Sequence, residues 1–122
     1  MKGGRSRDVL GPLPWQPVID GAEMAVLTGD PKAPGDYVIR YRTDREIFVP
    51  LHWHRHDEHV RVLNGPFSLS INNQRREVGP GSKVVIPAKA HHSTWYGAGT
   101  QVEVSGMGPF ESIYVDLDTL KT

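Results

Sequence analysis

The chain of 122 residues contains no cysteine, which excludes disulfides, thiolate ligands and a cysteine nucleophile. It also lacks a charge excess, since 14 basic residues balance 14 acidic ones. A phosphate backbone finds no electrostatic footing on such a chain, and nucleic acid is not an expected partner. No apolar run approaches the roughly 20 residues that a membrane-spanning helix needs, so no membrane is expected either. The basic start, Met1 to Asp8, lacks the apolar segment of a secretory signal. The expectation is a soluble, cytoplasmic protein in a reducing compartment. A helical pattern is missing too: no segment repeats its apolar residues with a helical period over three turns.

What the sequence does have is turn chemistry, with 13 glycines and 10 prolines. Residues 1–19 read as an N-terminal arm, because Gly3, Gly4, Gly11, Pro12, Pro14 and Pro17 break any regular period. Leu13, Trp15, Val18 and Ile19 suit that arm to lie across its own domain or to reach a partner subunit. Residues 20–122 read as a single all-β domain. Short strands are expected at Glu23–Thr28, Tyr37–Arg42, Ile47–Val49, Lys83–Ile86, His91–Tyr96, Thr100–Ser105 and Phe110–Leu117, with another carrying Phe67, Leu69 and Ile71. Gly/Pro clusters and Asn72-Asn73 turn the chain between them. Alternation points Tyr37, Ile39 and Tyr41 to one face, and Arg40 and Arg42 to the other. Val102 and Val104 likewise face inward, and Gln101, Glu103 and Ser105 outward. Many short strands so punctuated indicate a β-sandwich or barrel.

The chemistry is concentrated in Pro50–Gly65. Four of the six histidines fall within eight residues there, and Glu58 lies among them. Imidazole nitrogen and carboxylate oxygen are the donors a borderline transition metal takes. One continuous strand from Leu51 to Leu63 would exceed the usual length, roughly 3–10 residues. A turn at Arg55-His56-Asp57 is expected instead, setting His54 opposite Glu58 across an antiparallel pair, where Cβ atoms stand about 4.5–5.5 Å apart. Glu58, Val60 and Val62 then face inward. A buried carboxylate needs a positive partner, and a divalent cation supplies one. The remaining histidines, His91 and His92, stand beyond a second Gly/Pro-punctuated segment.

The run His52-x-His54-x₃-Glu58-x₆-Gly65 resembles the first motif of the cupins. Gly81, Pro87 and His92 fall at the glycine, proline and histidine positions of the second cupin motif. Lys89 stands where that motif has glycine, and Tyr96 where asparagine closes it. The resemblance runs from about Tyr37 to Leu117, and Gly106–Phe110 looks like the small bacterial members. It implies a double-stranded β-helix, or jelly-roll barrel, commonly paired as a homodimer. It further implies one divalent transition metal (iron, manganese, nickel or zinc) held by His52, His54, Glu58 and His92. A loop shifted by one residue would present His91 instead. A positive φ at Lys89 would strain it by roughly 1–2 kcal/mol.

Two residues are candidates for a catalytic role beside the ligands. His56, in the expected turn, titrates near neutrality and would carry protons. Tyr96 shares the parity of His92 and would hydrogen-bond an oxygen near the ion. Lys89 is a candidate for an anionic group at the barrel mouth. The functional expectation is a metal-dependent enzyme acting on a small oxygenated organic molecule; the resemblance implies dioxygenase (an oxidoreductase), isomerase or lyase chemistry, and composition does not choose between them. The alternative is a barrel that binds a small ligand or metal and reports it without turnover, and a third reading has the metal merely staple the barrel.

Overall fold

In the computed structural model, which describes residues 12–115, the turn punctuation resolves into eleven β-strands with no helix among the described residues. They are β1 (Gln16–Ile19), β2 (Ala22–Thr28), β3 (Gly35–Thr43), β4 (Ile47–Trp53), β5 (Glu58–Asn64) and β6 (Phe67–Ile71), then β7 (Gln74–Glu77), β8 (Lys83–Ile86), β9 (His92–Tyr96), β10 (Gln101–Gly108) and β11 (Ile113–Tyr114). Two antiparallel sheets form, in the orders β1-β2-β3-β10-β5-β8 and β11-β4-β9-β6-β7. The chain therefore swaps sheets repeatedly, as a jelly roll does.

Alternation decides which faces meet. In β5, Glu58, Val60 and Val62 are buried while Arg61 is exposed; in β10, Val102 and Val104 are buried between partly exposed Gln101, Glu103 and Ser105. Tyr37, Ile39, Val60, Val62, Phe67, Leu69, Ile86, Val102 and Val104 belong to one core between the sheets. Outer-face charges pair with each other, as in the 3.0 Å contact of Arg40 Nε with Glu103 Oε1. These exposed pairs contribute little stability. Burial of the valine and aromatic faces, at roughly 25 cal/mol per Å² of apolar surface, dominates.

The pairing of β4 with β5 expected across Arg55-His56-Asp57 does not occur. The turn is there, but it carries the chain from one sheet to the other, and β5 pairs with β8 and β10. The last residues of the N-terminal arm form β1, the edge strand beside β2. Strand β7 has four exposed residues and no alternation to reveal it. It exists because Asn72 and Asn73, at φ 53° and 63°, turn β6 tightly back on itself. The strand expected at Phe110–Leu117 shrinks to β11 among the described residues, and its end lies outside them.

Two backbone details fix the chain around Glu58 and His54. Gly106 of β10 sits opposite Glu58, where a Cβ would come within 2.8 Å of the Asp57 carbonyl oxygen. Only glycine lets the turn approach so closely at the point where Glu58 enters the barrel. Lys89 has φ 68°, the left-handed value that its place in the loop demands, and its N–H donates to the His54 carbonyl at 2.8 Å.

Left-handed backbone costs a side chain roughly 1–2 kcal/mol, while glycine loses about 0.5–1 kcal/mol more through chain entropy. Lys89→Gly is accordingly expected to stabilise the fold by about 0.5–1 kcal/mol. The check is an upward shift of the urea midpoint at unchanged slope. A lower midpoint would mean that the lysine side chain contributes more to the loop than its backbone strain costs.

Candidate metal centre

Three strand ends meet at one end of the barrel: the close of β4 and the openings of β5 and β9. Antiparallel pairing of β4 with β9 sets His52 directly opposite His92. His54 follows just past β4, and Glu58 begins β5 in the facing sheet. The loops that deliver them are tied together. Asp57 Oδ1 accepts the Ala88 N–H at 2.8 Å, beside the bond from Lys89 N–H to the His54 carbonyl. The four side chains are all buried, with exposures of 4 % for His52, 5 % for His54, 9 % for Glu58 and 1 % for His92.

The hydrogen bonds assign the tautomers. Nδ1 of His52 lies 2.7 Å from the Pro50 carbonyl, that of His54 2.9 Å from the Glu111 carbonyl, and that of His92 2.9 Å from the Ala90 carbonyl. A carbonyl only accepts, so each Nδ1 donates, and a neutral ring then has a bare lone pair on Nε2. Metal-ligating histidines are held by this arrangement. His52, His54 and His92 each offer a ligand atom, all within 4.8 Å of one another.

Glu58 Oε1 stands 2.9 Å from His54 Nε2 and 3.7 Å from His92 Nε2. Yet these three atoms are buried without any hydrogen-bond partner. Two lone-pair nitrogens facing a carboxylate repel unless a cation lies between them. The orphaned atoms, the tautomers and the donor set together fit a first-row divalent ion. In its absence a proton is the available positive charge. Burial opposes charging His54, but the Glu58 carboxylate outweighs it and raises the His54 pKa above its usual value. Burial would raise Glu58, but once His54 or His92 carries a proton its charge and contact hold the carboxyl down to about 2. Burial pushes His52 down to about 4, against the pull of the Pro50 carbonyl.

Sequence comparison finds no matching family model and no matching curated protein. Solved structures do match. A cupin similar to RmlC from Shewanella frigidimarina aligns over 87% of this chain and 88% of its own, at 15% identity and a TM-score of 0.67. The fold is that of the cupins. KdgF from Halomonas sp. aligns over 85% of this chain and 89% of its own (20% identity, TM-score 0.64). The polyketide cyclase RemF from Streptomyces resistomycificus aligns over 89% and 85% (19% identity, TM-score 0.67).

Within this cupin barrel the cluster stands at one wall of a cavity of about 350 Å³. Tyr96 lines the cavity, and burial together with the Glu58 charge raises its phenol far above the usual range, so it stays protonated. His56 does not line it. The turn passes outside the barrel to change sheets, leaving His56 exposed in a surface recess with Arg55, Asp57 and His59, on the wrong side to serve the cavity as a proton carrier. His91 is exposed as well, its ring stacked 6.5 Å from that of Trp53. Lys89 is exposed and not among the lining residues.

Sequence reasoning did not assign Thr94, Phe110 or Tyr114 to the site, and all three line the cavity. Phe110 stacks on His54 with centroids 5.0 Å apart, and Tyr114, opposite His52 in the β11–β4 pair, lies 5.5 Å from that ring. Thr94 shares the parity of His92 and Tyr96, a signal available in the sequence; nothing local marks Phe110 or Tyr114.

Purified protein is expected to carry about one transition-metal ion per chain, and His52→Ala or Glu58→Ala to empty the site while leaving the chain folded. Elemental mass spectrometry beside circular dichroism checks this; full metal content in both variants would refute the ligand set. Because metal and proton compete for the same lone pairs, affinity should weaken by at least one decade per pH unit below the raised His54 pKa. The slope should steepen near pH 4, where His52 begins to protonate. Competition titrations at several pH values read both.

Proposed function

We propose that this cupin barrel is a metal-dependent enzyme acting on a small oxygenated organic molecule. The reading rests on one observation: orphaned Nε2 and carboxylate atoms converge at the wall of an open cavity of about 350 Å³. That volume lies in the range of small-molecule sites, roughly 300–1,000 Å³. A metal that only stapled the barrel would need no such space beside it. A divalent ion held by His52, His54, Glu58 and His92 would supply a Lewis-acid centre for a substrate oxygen, or a dioxygen site if it were iron.

The chain's own residues do the rest. Carbonyl contacts at each Nδ1 fix the imidazoles in place, and Glu58 balances part of the charge. Phe67, Phe110 and Ile86 keep water from the inner wall. Tyr96, protonated at neutral pH, donates a hydrogen bond to a substrate oxygen or holds a proton there. An oxygen so polarised suits isomerase and lyase reactions, whereas a dioxygenase would draw on the dioxygen site that iron would supply; RemF is described as a cyclase on the same fold. Pairing into a homodimer and a cytoplasmic setting belong to the same reading.

One observation favours the second reading, a barrel that binds without turnover. Apart from the four clustered side chains, the described lining residues offer only phenols and hydroxyls as proton carriers. The test incubates metal-loaded and metal-stripped protein with a mixture of small keto acids, phenols and enols, following oxygen uptake and the mass of each component. The enzyme reading expects metal-dependent consumption of a component, and a loss of about 100-fold in Tyr96→Phe at unchanged metal content. Retention of a component without consumption would decide for the binding barrel.

A further inference from the structure

The charge inventory of the cavity narrows the ligand. This inference rests on the reading that a divalent ion occupies the cluster. Such an ion against one carboxylate and three neutral imidazoles leaves a net charge of about +1. No lysine or arginine is among the described residues that line the cavity. The remaining polar groups (Tyr41, Thr94, Tyr96, Ser112 and Tyr114) donate and accept hydrogen bonds but bring no positive charge. One anionic group therefore neutralises the site, and a second would be desolvated without a partner, which is strongly unfavourable.

The walls define the rest of the molecule. Tyr41 and Tyr96 lie 5.9 Å apart between ring centroids, and Phe67 packs edge-on against Tyr96 at 5.2 Å. Phe110 and Tyr114 add rings beside His54 and His52. At these spacings the rings pack against one another, and the faces and edges they leave toward the cavity accept a flat ring against them, in offset or edge-to-face contact. We infer that the cavity selects a flat, largely apolar molecule carrying a single anionic oxygen group, such as an aromatic monocarboxylate, and rejects dianions of the same shape.

Benzoate, isophthalate, terephthalate and the monoamides of the two diacids separate these terms, because each monoamide matches its diacid in shape and differs by one charge. Each is titrated calorimetrically into zinc-loaded protein whose zinc content is measured in parallel. Benzoate and at least one monoamide should bind, and that monoamide at least tenfold more tightly than its diacid. Met24, at the cavity wall and only partly buried, gives a converse test: Met24→Lys should raise diacid affinity at least threefold more than it raises benzoate affinity.

Diacids binding as tightly as monoamides to fully loaded protein would overturn the inference and leave the metal reading intact. So would fully loaded protein that binds none of the monoanions, or a folded, loaded Met24→Lys with an unchanged ratio of diacid to benzoate affinity. A wild-type protein that takes up no zinc, nor manganese, iron or nickel in its place, would instead defeat the reading on which the inference stands.

Discussion

Lone pairs on buried imidazoles and a buried carboxylate cannot share a few cubic ångströms without something positive among them. That electrostatic demand is the constraint on which the rest of this barrel turns. An uncompensated charge in the interior costs several kcal/mol, a large share of the stability of a domain this size. The strand ends carrying His52, His92 and Glu58 are therefore fixed by pairings and loop hydrogen bonds that hold the demand in place. A fold free to relax would let Glu58 turn to water. Here the absence of a side chain at Gly106 lets the Asp57 turn pack closely where Glu58 enters the barrel.

The same constraint links metal binding to acidity. His54 and Glu58 form a trap that closes on a proton or on an ion, and the two compete. His52, pushed down to about 4 by burial, stays out of that competition at neutral pH and keeps its nitrogen available.

Much of this was legible along the chain, for a physical reason: alternation reports which face a residue takes. Val60, Val62, Val102 and Val104 could be assigned inward from parity alone, and Glu58 with them. The His-x-His spacing marked side chains destined for one face. Parity says nothing about partners, however. It could not show that β4 and β5 belong to different sheets, because a short turn serves equally well for a hairpin and for a change of sheet. It overlooked β1 and β7, whose exposed residues carry no alternation and whose pairing is decided by neighbours. For the same reason the cavity wall escaped notice: Phe110 and Tyr114 meet the histidines only through long-range topology. His56 misled because composition alone cannot tell the inside of a turn from its outside.

Val18 and Ile19, on β1, reach the cavity, as do Ser112 and Tyr114 at β11. Both strands lie at the edges of their sheets and touch a single neighbour each, β2 and β4. A substitution at Val18 or Ile19 alters the cavity wall without touching the β4–β9, β5–β8 and β5–β10 pairings that carry His52, Glu58 and His92. The barrel thereby separates an interior whose paired strands set the histidine–glutamate cluster from a margin, β1, that reaches the same cavity without belonging to those pairings. For protein engineering this makes β1 the natural place to randomise.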